Sequence, residues 1–78
     1  MPTVLRAGPS RVYFTSHDMG EPPHVHVDRG DQSAEFWLSP VALARNLGSS
    51  ASELRAVEQI LKEHEQDLVE AYNEFFGR

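Results

Sequence analysis

Two runs of alternating side chains joined by a turn, His24-Val25-His26-Val27-Asp28 and Ser33-Ala34-Glu35-Phe36-Trp37-Leu38, constrain this chain more than any other feature. Between them lies Arg29-Gly30-Asp31-Gln32, a hairpin connection with Gly-Asp at its centre. Centring the turn there sets the register: Asp28 opposite Ser33, Val27 opposite Ala34, His26 opposite Glu35, Val25 opposite Phe36 and His24 opposite Trp37. Successive side chains of a strand point to opposite faces. Val25, Val27, Phe36 and Leu38 therefore share an apolar face, and His24, His26, Asp28, Glu35 and Trp37 share the other. A slip of one residue would invert the whole sorting.

The rest of the chain is read outward from this hairpin. Thr3 to Arg6 reads as a strand, Ala7-Gly8-Pro9-Ser10 as a turn, and Arg11 to Ser16 as a second strand rich in β-branched and aromatic residues. Val12 and Phe14 join the apolar face, which puts Tyr13 with the histidines. His17 to Pro23 is a polar loop closed by two prolines. Ser39-Pro40 has the chemistry of a helix start and Gly48 that of a stop, which predicts a short helix over about 40–47. Ser50-Ala51-Ser52-Glu53 is a capping box opening a long helix over about 51–75. Its stripe, Leu54, Val57, Leu61, His64, Leu68, Ala71 and Phe75, flanked by Ile60, Tyr72 and Phe76, needs an apolar surface to cover. The expected fold is a single α+β domain over 1–78: an antiparallel meander of three to four strands within about 3–38, one face covered by the long C-terminal helix, with a short helix between.

Composition narrows the function classes. A core within 78 residues leaves about 3–5 kcal/mol of net stability, so a second copy or a partner would help it. The absence of cysteine removes disulfides and thiolate metal ligands. No apolar run approaches the roughly 20 residues that span a bilayer, and the N-terminus lacks the basic start and apolar stretch of a signal peptide, so a cytoplasmic location without membrane attachment is expected. The net charge of −5 is uneven: residues 1–48 carry four basic and five acidic side chains, residues 49–78 three basic and seven acidic. Without a basic stripe the phosphate-neutralising contribution to nucleic-acid affinity is missing, which disfavours direct DNA or RNA binding.

The residues with chemistry to offer sit on the polar face of the hairpin. Histidines at i and i+2 of a strand point the same way, the geometry for two imidazoles to meet one metal ion or one phosphate. His24 and His26 are thus candidates for acid–base or metal-ligand roles. Glu35, across from His26, is the candidate third ligand or the group that orients the ring. Tyr13 and Trp37 flank the pair, Asp28 is an alternative carboxylate ligand, and His17, Asp18 and Glu21 lie in a loop able to close over it. Arg45, on the expected short helix, either reaches an anionic ligand, caps a helix end or pairs with a carboxylate. The bland alternative is that alternating His and Val simply mark the wet side of a sheet. His64, on the helix stripe, reads as a packing histidine, and the helix carboxylates as its solvated side. His-Val-His-Val-Asp is also similar to part of the histidine-triad nucleotide hydrolase motif. That family is rejected, because Asp28 stands where a third histidine is required and cannot replace an imidazole nucleophile.

Met1-Pro2-Thr3-Val4, Glu21-Pro22-Pro23-His24-Val25-His26-Val27 and Phe36-Trp37-Leu38 together resemble the bacterial DUF4160 family, a domain of unknown function. The resemblance covers nearly the whole chain, and Pro22 to Val27 is its most specific element. It implies a gene neighbourhood shared with another small family of unknown function, in arrangements proposed to be toxin–antitoxin pairs, and hence a protein partner encoded nearby or a homodimer. Three functions follow for testing: an interaction protein of such a pair, an enzyme acting on phosphodiesters or nucleotides through His24, His26 and Glu35, and a divalent-metal module. The cofactor is left open: none is required, and a divalent metal is possible.

Overall fold

The computed structural model describes residues 3–14 and 22–77. Five strands follow in chain order, β1 (Thr3–Ala7), β2 (Ser10–Tyr13), β3 (His24–Arg29), β4 (Gln32–Leu38) and β5 (Val41–Leu47), then two helices, α1 (Ala51–Glu63) and α2 (Glu65–Phe76). The strands form one antiparallel meander in sequential order, so the chain is α+β. The predicted strand end at Thr15 and Ser16 and the loop residues His17, Asp18 and Glu21 lie outside the described residues.

The β3–β4 hairpin has the register that the alternation predicts, with His24 opposite Trp37, Val25 opposite Phe36, His26 opposite Glu35, Val27 opposite Ala34 and Asp28 opposite Ser33. Its connection is only Gly30-Asp31, and Gly30 takes φ +60°, a conformation that costs glycine little. The sorting of faces follows. Val12, Phe14, Val25, Val27, Ala34, Phe36, Leu38 and Val41 are buried on the sheet, where Leu61, Leu68 and Tyr72 of the helices meet them. Helix α1 packs against β4 and β5, and α2 against β4.

Two elements differ from the sequence expectation. Residues 41–47 form the fifth strand rather than a short helix, and Arg45 therefore lies on a sheet edge. Ala, Leu and Arg favour helix there, but a seven-residue helix is marginal alone. Pairing with β4 instead satisfies the backbone of β4 on its outer side and buries Val41 beside Leu38. The second difference is a break in the long helix at His64, whose backbone N–H is shared between the Ile60 and Leu61 carbonyls. Glu65, just beyond the break, accepts a hydrogen bond from the Val41 N–H at 3.2 Å and so ties α2 to the start of β5. Past the break the buried stripe becomes Leu68, Tyr72 and, partly, Phe76, while Phe75 is 40% exposed.

The start of α1 behaves as its capping box predicts. Ser50 Oγ accepts from the Glu53 N–H at 3.3 Å and also donates to Glu53 Oε1 at 2.9 Å. The other carboxylate oxygen of Glu53 takes the Arg29 guanidinium at 3.3 Å, which fixes α1 to the end of β3.

A candidate metal centre on the polar sheet face

Strand registers arrange the polar face in rows. Tyr13, His26, Glu35 and Arg45 stand directly opposite one another across β2, β3, β4 and β5. A second row is Arg11, Asp28 and Ser33, and a third is His24, Trp37 and Ala42. The i, i+2 spacing of the histidines does bring their rings together, with centroids 5.5 Å apart. A bulge in the β4–β5 pairing between Glu35 and Phe36 is what keeps Arg45 in line with Glu35, by displacing Ala44.

His24 is not on a wet surface. It is 2% exposed, with the Trp37 ring 5.7 Å away on one side and Tyr72 of α2 at 6.3 Å on another. Its Nδ1 lies 2.9 Å from the Pro22 carbonyl oxygen. A carbonyl only accepts, so Nδ1 carries the proton in the neutral ring and Nε2 presents its lone pair. This is how histidine ligands are commonly oriented: the ring nitrogen that does not bind metal donates to an outer acceptor. Pro22 and Pro23 thus explain why the strand begins where it does, and Pro22 also sets the tautomer of its first residue.

His26 is held from the other side. Tyr13 stacks on it with centroids 5.4 Å apart and planes at 22°, and the Arg11 guanidinium lies 4.6 Å over the Tyr13 ring. Tyr13 donates its hydroxyl to Asp28 Oδ2 at 2.9 Å, and Ser33 donates to Asp28 Oδ1 at 2.9 Å. Asp28, an alternative ligand from sequence, therefore acts as the anchor of Tyr13. Burial first, then the hydrogen bond and charge of Asp28, push the Tyr13 phenol above its ordinary pKa, against an opposing pull from Arg11. Tyr13 stays a neutral donor through the physiological range.

The remaining carboxylate, Glu35, completes a set. One ligand atom from each of His24, His26 and Glu35 lies within 4.8 Å of the others. Two donors bound to one tetrahedral zinc ion at about 2.0–2.1 Å stand about 3.3–3.4 Å apart, so a pair at the 4.8 Å limit must close by about 1.5 Å to share an ion. Glu35 is half-buried and on a rotatable side chain, and so is the ligand with most freedom to move inward. Two imidazoles and a carboxylate suit zinc and its neighbours among the divalent transition metals. Arg45 Nη1 lies 3.9 Å from Glu35 Oε2, the carboxylate partner among the alternatives read from sequence.

Of the site residues read from sequence, the structure gathers His24, His26, Glu35, Tyr13, Trp37, Asp28 and Arg45 on one face. It adds Tyr72, which sequence reasoning assigned only to the flank of a helix stripe. The usable signal was its four-residue spacing from Leu68 and Phe76, visible once the helix is broken at His64.

Fold and face together define a class of protein: a small α+β domain whose helix-covered antiparallel sheet displays a His/His/Glu cluster on its polar side. Residues 10–73 match the model of a domain of unknown function (DUF4160), and the chain belongs to that family. No curated protein and no solved structure matches the chain.

Proposed function

We propose that this chain is a divalent-metal-binding module in which His24, His26 and Glu35 hold one ion. The observation that carries this reading is the convergence of their three ligand atoms to within 4.8 Å. The orientation of the His24 ring by the Pro22 carbonyl supports it further. Bound there, the ion would supply Lewis acidity and at least one open coordination position. Calorimetric titration with zinc near neutral pH tests this. One site per chain is expected, weakened in Glu35→Gln by at least the roughly 10- to 100-fold that losing a ligand's outer-shell support costs. Glu35→Gln is the cleaner probe, because His24 also packs against Trp37 and Tyr72. The absence of heat with zinc, nickel and manganese alike, or unchanged affinity in a folded Glu35→Gln, overturns the reading.

A second reading, an interaction protein of a toxin–antitoxin-like pair, is favoured by a different observation. β5 ends the sheet, and Leu43 and Leu47 on it are 44% and 46% exposed. An open edge with exposed leucines suits strand addition by a partner or a second copy. Size-exclusion chromatography with light scattering, alone and with the product of the neighbouring gene, is expected to show a complex that Leu43→Lys/Leu47→Lys weakens. A strict monomer in both runs removes this reading.

A further inference from the structure

The charge arrangement around the His/His/Glu cluster specifies what else the loaded site takes. Glu35 and Arg45 form a loose ion pair at 3.9 Å, longer than a hydrogen bond, with the Arg45 side chain 67% exposed and that of Glu35 23%. A metal ion needs only one Glu35 oxygen, and a contact this loose on a largely exposed side chain leaves Arg45 with guanidinium N–H donors to offer a second anion. The other carboxylate of the face, Asp28, is committed to Tyr13 and Ser33 and stands opposite Arg11. With neutral imidazoles, a dication, Glu35 and Arg45 sum to a local charge of about +2 within a chain of net −5. A charge of that size beside an open coordination position attracts an oxyanion.

We infer that the metal-loaded site binds a phosphate group, one oxygen entering the open position of the ion and another received by the Arg45 guanidinium. Phosphate monoesters carry about −1.5 to −2 at neutral pH, which matches the local charge. The planar fork of arginine suits two phosphate oxygens at once. Recognition rests on the phosphate and not on a base, because the Tyr13 ring is already occupied by His26 and Arg11 and the partly buried Trp37 ring already meets His24. The site therefore takes small phosphorylated ligands, in keeping with a surface that lacks the basic stripe of a nucleic-acid binder. This inference depends on the metal reading above, and deepens it by naming the co-ligand.

The test uses the full chain loaded with zinc for calorimetry and with cobalt for visible absorption. Inorganic phosphate is the first probe and a nucleoside monophosphate the second. Both are expected to bind the loaded chain within about threefold of each other and to shift the cobalt spectrum. Arg45→Gln should retain or tighten metal binding, since a neighbouring cation is removed, yet bind inorganic phosphate about tenfold more weakly, the size of one charge-assisted contact. Circular dichroism confirms the fold of this edge-strand variant. Failure of the chain to bind zinc or cobalt overturns both readings. Metal binding without any phosphate response, or phosphate binding that Arg45→Gln leaves unchanged, overturns this one alone. Tight nucleotide binding with no response to inorganic phosphate also overturns it, since the base and not the phosphate would then be recognised.

Discussion

Tyr13 shows how one side chain links the sheet to the candidate centre. It braces His26 by stacking and is itself fixed by Asp28, whose second oxygen is taken by Ser33. Its phenol is held above the ordinary value of 10.0 by burial and by Asp28. A group whose pKa is raised on folding contributes stability that is fully present below the unfolded value and lost as pH rises through the folded one. The folded chain is therefore expected to show a tyrosine titration above pH 10 in ultraviolet absorbance that disappears in Tyr13→Phe, with stability falling over the same interval. Asp28→Asn should move that titration down, because it removes a negative charge from beside the phenolate. A midpoint unaffected by Asp28→Asn would mean that the Tyr13–Asp28 contact is absent in solution. The hairpin side chains were readable at this scale because strict alternation and a Gly-containing turn leave one register. The buried state of His24 was not, since it depends on Tyr72 arriving from α2, some fifty residues along the chain.

Among the elements, legibility tracks how local the deciding interaction is. The capping box at Ser50 and Glu53 and the Gly30-Asp31 turn are decided within a few residues, and both form where the sequence indicates. The composition of Val41 to Leu47 favours helix, but its fate is decided by β4, whose outer edge would otherwise lack a strand partner. The correction matters for the site. Arg45 on a helix would have no defined relation to Glu35, whereas on β5 it stands directly opposite that residue. The helix break has no Gly or Pro to announce it. Glu63, His64 and Glu65 read as ordinary helix, and the compensation lies in Glu65 meeting the N–H of Val41. Past the break Tyr72 is buried and its ring lies against both Phe14 and His24, while the more exposed Phe75 touches Phe14 from the rim.

At the scale of the whole molecule, metal binding and folding become one measurement. The buried core is small, and a domain of this size has about 3–5 kcal/mol of net stability to draw on. The candidate ligands come from the paired strands β3 and β4, and His24 is also packed against α2, so ion binding is linked to the pairing of the hairpin and to the docking of that helix. An ion that binds this arrangement and not the unfolded chain adds about 2.7 kcal/mol of stability at a free concentration 100 times its Kd. For a domain of 60–100 residues each 1 kcal/mol raises Tm by about 4–8 °C, so zinc at that excess is expected to raise the melting temperature by roughly 10–20 °C. Glu35→Gln should melt close to the wild-type chain without metal and respond far less to zinc, because Glu35 is half-buried on the polar face and outside the core. The two halves of that result carry different information. A shared melting temperature without metal shows that the substitution spares the fold, and the lost response then belongs to ligation alone. If zinc leaves Tm unchanged in the wild-type chain, the three side chains meet for packing only, and the polar face would have to act through the β5 edge beside it.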